Sequence, residues 1–451
     1  MSSSTVIPDL ADLLPKIQAQ PPFAVHGRVT RVIGQVVEVS SLEVAVGEVC
    51  RIEPDDHHGV LAQVVGFHER GVLLMPLGDP TGIRPGALVV RLARALYAET
   101  GEGLIGRTLD GLGRPIDGAG PVGATRRRPL TAAPPNPLER TQIENPLGTG
   151  VRAIDGLITL GKGQRIGIMA GSGVGKSVLL GMIARQTTAD VNVIALLGER
   201  GREVRHFIER DLGPDGLRRS VVVAATSDQS AVVRATGALV ATAIAEYFRD
   251  TGRNVLLMMD SVTRVAMAWR EVGLAVGEPP TTKGYPPSVF AHLPRLLERA
   301  GTGAQGTITG LYTVLVEGDD FNEPIADATR SILDGHIVLA RSLASAKHFP
   351  AIDVLDSVSR VRDEVIDREL RDAANTILQH EAAYRSHEDL ISVGAYKPGA
   401  NPTVDIAIAI RPQVLAFLRQ QAEEPSSLAD VRDSLLRITG QISAIQQGSQ
   451  S

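Results

Sequence analysis

The sequence predicts an α/β protein in three parts: an N-terminal antiparallel β-barrel, a central parallel sheet covered by helices on both faces, and a helical C-terminal region. Three observations predict it. Between residues 25 and 92, short β-rich runs (VHGRVTRVIGQVVEVS, GEVCRI, LAQVVGF, GVLLMPL) are separated by Gly, Asp and His turns, the pattern of a small barrel. Apolar runs at 165–170, 191–198, 219–225, 254–260, 307–316 and 336–340 then alternate with helical segments, as buried parallel strands do. Beyond about 362 the strand signal fades into charged, Ala/Leu-rich, helically patterned sequence, broken near 394–402 by Gly and Pro.

The connecting pieces follow the same logic. Residues 9–19 (DLADLLPKIQA) carry Leu10, Leu13, Leu14 and Ile17 at helical spacing, interrupted by Pro15. Such a short helix either packs on its own protein or docks on a partner or membrane surface. Residues 104–122 (LIGRTLDGLGRPIDGAGPV) read as a Gly-punctuated turn and hairpin, and 129–146, with five prolines, as an extended connector. The expected division is an N-terminal segment 1–24, a barrel domain 25–92, a nucleotide-binding domain 93–367 and a helical domain 368–451.

Composition narrows the class. In 451 residues, aromatics are only 3%, so the core must be mostly Val, Leu, Ile and Ala. The net charge of −5 and the lack of a lysine-rich tail argue against a protein that holds nucleic acid by neutralising phosphates. The run Arg126, Arg127, Arg128 reads as a solvated linker. Cys50 is the single cysteine, which excludes an intrachain disulfide or a cysteine-clustered zinc site and fits a reducing compartment. The first 24 residues do not read as a secretory signal, and the longest apolar runs are too short to span a bilayer. A soluble, cytoplasmic protein is expected.

The chemistry concentrates in residues 165–184, RIGIMAGSGVGKSVLLGMIA. An apolar strand ends in Gly171, Ser172, Gly173, Val174 and Gly175, and Lys176, Ser177 and Val178 open an apolar helix. Glycines let successive backbone N–H groups turn around phosphate oxygens, and the helix N-terminus adds its positive end. Lys176 is placed to reach β- and γ-phosphates, and the Ser177 hydroxyl to bind Mg²⁺. The place where this motif usually starts with Gly holds Ala170, which still fits the turn. Two further apolar strands end in carboxylates: NVLLMMD at Asp260, suited to the Mg²⁺ side, and VIALLGER at Glu199, suited to polarising an attacking water. Arg200 follows, able to contact phosphate oxygens; the alternative for this segment is a surface charge cluster.

These elements, in this order, resemble the catalytic subunits of rotary ATP synthases, and more closely the type III secretion branch of that family, the export ATPases of flagella and injectisomes. The most specific stretches are PLGTGVRAIDGLITLGKGQR (146–165), AGSGVGKS (170–177), GERGREV (198–204), MDSVTR (259–264), GEPPTTKGYPPSVFAHLPRLLERAG (277–301), EGDDFNEPIADATRSILDGHIVLAR (317–341) and PAIDVLDSVSR (350–360). The resemblance implies that Glu199 is the catalytic carboxylate, Asp260 the Mg²⁺-side carboxylate and Arg264 a structural or phosphate-proximal arginine. Arg360 matches the arginine that reaches a neighbouring subunit's site, and Phe349 the aromatic against adenine. It implies a RecA-like central domain, use of ATP and Mg²⁺, and a ring of six.

The partners it implies are a second copy of the chain, stator and coiled-coil stalk proteins, a membrane export gate, and export substrates with their chaperones. No nucleic acid is expected, because 25–92 contains Phe67 as its single aromatic, too few for a base-stacking groove. The implied location is cytoplasmic, peripheral at the inner face of the membrane. The 277–301 segment and the absence of the synthase's acidic C-terminal loop, where GAYKPGANPTVDIAIA (394–409) stands, favour the export branch. That segment and the short length lean flagellar. An injectisome ATPase and a nucleotide-binding subunit of a mixed ring are the alternatives.

Overall fold

Short strands with alternating polarity close most easily on one another, and the first part of the chain does so. The computed structural model describes residues 26–53, 59–69, 71–123, 126–316, 320 and 323–448; the segment 1–24, with the helix expected at 9–19, lies outside them. The described chain forms two compact units, one ending at Leu96 and one beginning at Tyr97.

Six strands make up the first unit: β1 (His26–Ile33), β2 (Val36–Ser40), β3 (Glu48–Glu53), β4 (Val60–His68), β5 (Gly71–Pro76) and β6 (Leu88–Ala95). They pair in the order β1-β2-β5-β4-β3-β6 as a closed barrel, which leaves no edge strand. Alternation decides the facing: Val29 is buried while Arg28 and Thr30 are exposed. Val37, Val39, Ile52, Leu74 and Val89 fill the interior together with Cys50. Burial pushes the Cys50 thiol up to about 11, so it behaves as a small apolar side chain.

The second unit is built on one large sheet. Its strands are β8 (Thr108–Asp110), β12 (Arg165–Ala170), β13 (Val191–Leu197), β14 (Ser220–Ala225), β15 (Asn254–Asp260), β17 (Thr307–Leu315), β18 (Gly335–Leu339) and β19 (Ile352–Ser359), with β16 (Gly301–Thr302) paired to β17. The order is β19-β18-β12-β17-β15-β13-β14-β8, parallel throughout except for β19 and β16. Strands β7 (Tyr97–Thr100) and β9 (Arg126–Pro129) form a separate ladder, as do β10 (Pro146–Leu147) and β11 (Leu160–Gly161).

All six expected strands are present. Two edge strands were not legible. β8 is three residues long, too short to show a period, and lies within the expected hairpin, where Ile116 N–H donates to the Thr108 carbonyl. β19 reads IDVLDSVS, with its alternation broken by a bulge: the Asp353 carboxylate accepts from the Leu355 and Asp356 N–H groups, and the pairing with β18 slips there.

Helices cover the sheet. That at Ala231–Asp250 is the one described helix long and apolar enough to cross a membrane, but 83% of its most apolar window is buried inside the unit, as in a core helix. The region after 362 is helical at Arg368–Ser392, Pro402–Leu418 and Leu428–Gly448, broken where Gly and Pro predict. Ile377, Ile410, Val414 and Leu435 from these helices join Ile166 and Ile168 of β12 in one continuous core.

The proline-rich connector is clamped, and Arg128 is not the solvated linker residue its neighbourhood predicts. Its guanidinium donates to Glu246 at 2.9 Å and to Asp250 at 2.7 Å. Glu246 is 2% exposed and pairs with Arg299, equally buried, through bonds of 2.7 and 2.8 Å. Arg299 also donates to the Leu130 carbonyl at 2.7 Å. Removing one partner of a buried ion pair strands the other. Arg299→Leu is therefore expected to destabilise the protein by about 3–5 kcal/mol, read as a lowered urea midpoint. An unchanged midpoint would show that the pair does not hold the connector.

Candidate active site

The phosphate cradle forms at the C-terminal end of β12, a strand buried from Ile166 to Ala170. Gly173 and Gly175 have φ of +78° and +90°, the left-handed region that a side chain resists, and Gly175 caps the Lys176–Gln186 helix without a side-chain bond. The first N–H groups of that helix remain available for an anion. Val174 is 1% exposed, so it anchors the loop in the core and offers only its backbone. Ser172, Ser177 and Val178 are on the exposed side. Phe349 lies over Gly175, where a Cβ would come within 3.5 Å of two ring carbons. Its own carbonyl is held by the Gln420 N–H at 3.0 Å.

Strand order brings the two carboxylates to the cradle. β15 ends at Asp260 and β13 leads through Gly198 to Glu199; Leu196 pairs with Asp260 in the register. The Lys176 ammonium bonds the Asp260 carboxylate and lies 3.7 Å from Glu199. Arg264 approaches Glu199 from the other side at 3.8 Å, and Gly198, at φ +73°, brings the chain close against its stem. Burial pushes the Glu199 carboxyl up to about 7, against the pull of Lys176 and with help from the negative Asp260 nearby and a hydrogen bond to Glu203. A buried carboxyl that titrates near neutrality is what a site for proton handling requires.

A cavity of about 460 Å³ joins these groups, with Arg200, Phe207 and Leu315 also on its wall. Arg200 caps the Gly201–His206 helix with its backbone; its side chain is 81% exposed and 3.6 Å from Glu203. The cavity fits a nucleotide triphosphate and a hard cation. Its donors are the loop N–H groups, Lys176 and the buried Nε of Arg264, unpartnered among the described residues; its oxygens are the Ser177 hydroxyl and the Asp260 carboxylate.

Arg360 is elsewhere. Ser359 pairs with Gly335 at the start of β18, whereas Leu339 at its far end pairs with Ala170. Arg360 thus sits at the opposite end of the sheet from the cradle, about 13 Å along the strands and two strand spacings (about 10 Å) across. Its guanidinium donates to the Leu333 carbonyl at 3.2 Å. Three contributors were missed from sequence: Thr313, which donates to Asp260 at 2.7 Å, Arg341, which donates to the Ser172 carbonyl at 3.3 Å, and Phe207. Thr313 and Phe207 lie outside the family-specific stretches, Arg341 is the last residue of one (317–341), and only the fold places all three here.

A parallel sheet with a glycine-rich cradle, a lysine on the following helix and two strand-end carboxylates defines a P-loop nucleoside triphosphatase. Residues 150–359 match the ATP synthase alpha/beta family nucleotide-binding domain, 29–93 that family's beta-barrel domain, and 366–437 the T3SS EscN ATPase C-terminal domain. The flagellum-specific ATP synthase of Bacillus subtilis is 53% identical over 95% of this chain and 98% of its own length. The type 3 secretion system ATPase of Xanthomonas euvesicatoria is 50% identical over 92% and 94%. The assembled ATPase EscN of the enteropathogenic Escherichia coli type III secretion system superposes with a TM-score of 0.87 at 46% identity, over 91% of this chain and 99% of that one. The chain belongs to the ATP synthase alpha/beta family, in its branch of flagellar and type III secretion ATPases, and it hydrolyses ATP.

The raised Glu199 carboxyl has a stability consequence. From its ordinary 4.5 to about 7, the folded state holds this proton more often than the unfolded state. Stability is therefore lost as pH rises through that window. Glu199→Gln, which cannot ionise, is expected to remove this loss. Melting temperatures of variant and wild type, compared from pH 4.5 to 7.5, should diverge in the variant's favour toward the upper end; parallel curves would contradict the raised value.

Proposed function

We propose that this chain is a homohexameric ATPase energising type III protein export, of flagellar components in the first instance, with each active site completed by its neighbour. The position of Arg360 carries the reading: it is too far from its own cradle to touch the same phosphates, and it directly follows an edge strand that another copy can face. In this reading the backbone from Gly171 to Val178 cradles the phosphates, and Lys176 leaves Asp260 for the β- and γ-phosphates. Phe349 stacks on adenine. Arg200 and Arg264 meet phosphate oxygens, and Glu199 orients and polarises the attacking water. Arg360 of the adjacent copy stabilises the charge that develops on the transferred phosphoryl group. Ser177 and Asp260 would hold Mg²⁺, which would neutralise charge on the phosphates.

The chain divides functionally into 1–24, the barrel 25–92, the nucleotide-binding domain 93–367 and the helical domain 368–451. The helical domain is the proposed seat of a coiled-coil stalk, because EscN has been seen in complex with its central stalk EscO and superposes on this chain with a TM-score of 0.85. Stator proteins, the membrane export gate and chaperoned substrates complete the partners, which place the ring at the inner face of the cytoplasmic membrane. The near-equal identities to flagellar and secretion relatives keep an injectisome role as the second reading; restoration of filaments in a strain lacking its flagellar ATPase separates the two.

Two enzymatic tests follow. Glu199→Gln is expected to retain nucleotide binding while turnover falls about 100-fold or more; wild-type turnover would remove Glu199 from its role. Arg360→Ala should lose about 10³-fold at every protein concentration. Mixing it with the equally inactive Lys176→Ala should restore activity, since about a quarter of randomly assorted sites then combine an intact lysine with a neighbour's intact arginine. No recovery in rings shown to have exchanged subunits would place both residues in one chain's site or neither.

A further inference from the structure

Asp260 is held by more than the lysine. Strand β17 lies between β12 and β15, and Met259 is in register with Tyr312, so the next residues, Asp260 and Thr313, are neighbours across the ladder. Thr313 is fully buried. Its hydroxyl donates to Asp260 Oδ1 at 2.7 Å, with the Met259 carbonyl farther off at 3.3 Å. The same strand grips the turn after Asp260, where the Leu315 N–H donates to Thr263 Oγ1 at 2.9 Å. A hydroxyl in an apolar strand is costly to bury unless it is bonded, and a valine would fill the same space. Among the described residues, both hydrogen bonds on this carboxylate, from Thr313 and from Lys176, fall on Oδ1. Oδ2 is left for the site.

We propose that Thr313 is a positioning residue that fixes the rotation of the Asp260 carboxylate, so that Oδ2 is presented to the cation. The inference rests on the reading of Asp260 as the Mg²⁺-side carboxylate. Lys176 shares Oδ1, but its ammonium is the group required at the β- and γ-phosphates. Once it moves there, Thr313 is the donor that remains on Oδ1. Without that hydroxyl the carboxylate turns freely when nucleotide is bound, and the loss falls on cation binding rather than on the fold. Partners that orient a metal's ligands typically govern 10–100-fold of affinity.

The test is Mn²⁺ binding to the full-length protein with ADP, followed by electron paramagnetic resonance, with metal-free melting temperatures alongside. Thr313→Val should weaken Mn²⁺ about tenfold or more, while Thr313→Ser, which keeps the hydroxyl, should bind as wild type does. If the valine variant does not fold, Thr313→Ala against Thr313→Ser makes the same comparison, because both lack the methyl group. Unchanged Mn²⁺ affinity without the hydroxyl overturns the proposal, and so does equal weakening in the serine variant. Asp260→Asn is the control on the underlying reading: if it binds Mn²⁺ normally, Asp260 is not the cation's carboxylate and the role of Thr313 falls with it. Weakening by Asp260→Asn but not by Thr313→Val sinks the positioning role alone.

Discussion

The Lys176 ammonium, bonded to Asp260 and 3.7 Å from Glu199, is the interaction on which the rest of the site depends. Two carboxylates this close repel each other, and partial burial makes Glu199 harder to ionise. A single cation between them relieves the repulsion, and burial nonetheless holds the Glu199 carboxyl above its ordinary value. When Lys176 is drawn toward an incoming polyphosphate, the two carboxylates lose their shared counter-charge. In the function proposed above, a divalent cation bound with the nucleotide would supply the counter-charge there. On that proposal one positive charge would replace another, and nucleotide and cation binding would be coupled electrostatically.

That cluster needs a rigid frame, and the parallel sheet supplies it. Side chains projecting from the C-terminal ends of neighbouring strands converge without any loop having to be long. β12, β15 and β13 deliver Lys176, Asp260 and Glu199, while β17, between the first two, contributes the buried Thr313. The C-terminal helices extend the frame beyond the sheet. Gln420 holds the Phe349 carbonyl and also bonds the Gly150 carbonyl and the Arg152 N–H. Arg152 in turn reaches the Phe417 carbonyl at 3.0 Å. The aromatic beside the cradle is therefore tied to the segment that follows the Pro402–Leu418 helix, far along the chain.

At the other end of the sheet the constraint is one of topology. An antiparallel final strand carries the chain back from the cradle, so whatever follows β19 emerges at the opposite end of the strands. Arg360 is there for that reason. Had β19 run parallel to β18, the same arginine would stand near its own Ser172 loop.

Local pattern determined much of this protein before any fold was known. The six central strands, the helical C-terminal region, the glycine cradle and the two strand-end carboxylates each depend on short-range preferences: apolar runs that must be buried, glycines that tolerate positive φ, and charges that end a buried strand. The family resemblance followed from the same stretches. The tertiary structure decided what local pattern does not encode. β8 is too short and β19 too irregular to read as strands, and both are held by a neighbour's ladder. Arg128 was a linker residue until Glu246 and Asp250, more than a hundred residues downstream, came to meet it. Thr313, the hydroxyl on Asp260, is an ordinary strand threonine in sequence. It acquires its partner only because β17 inserts between β12 and β15, and that pairing order is a property of the whole sheet.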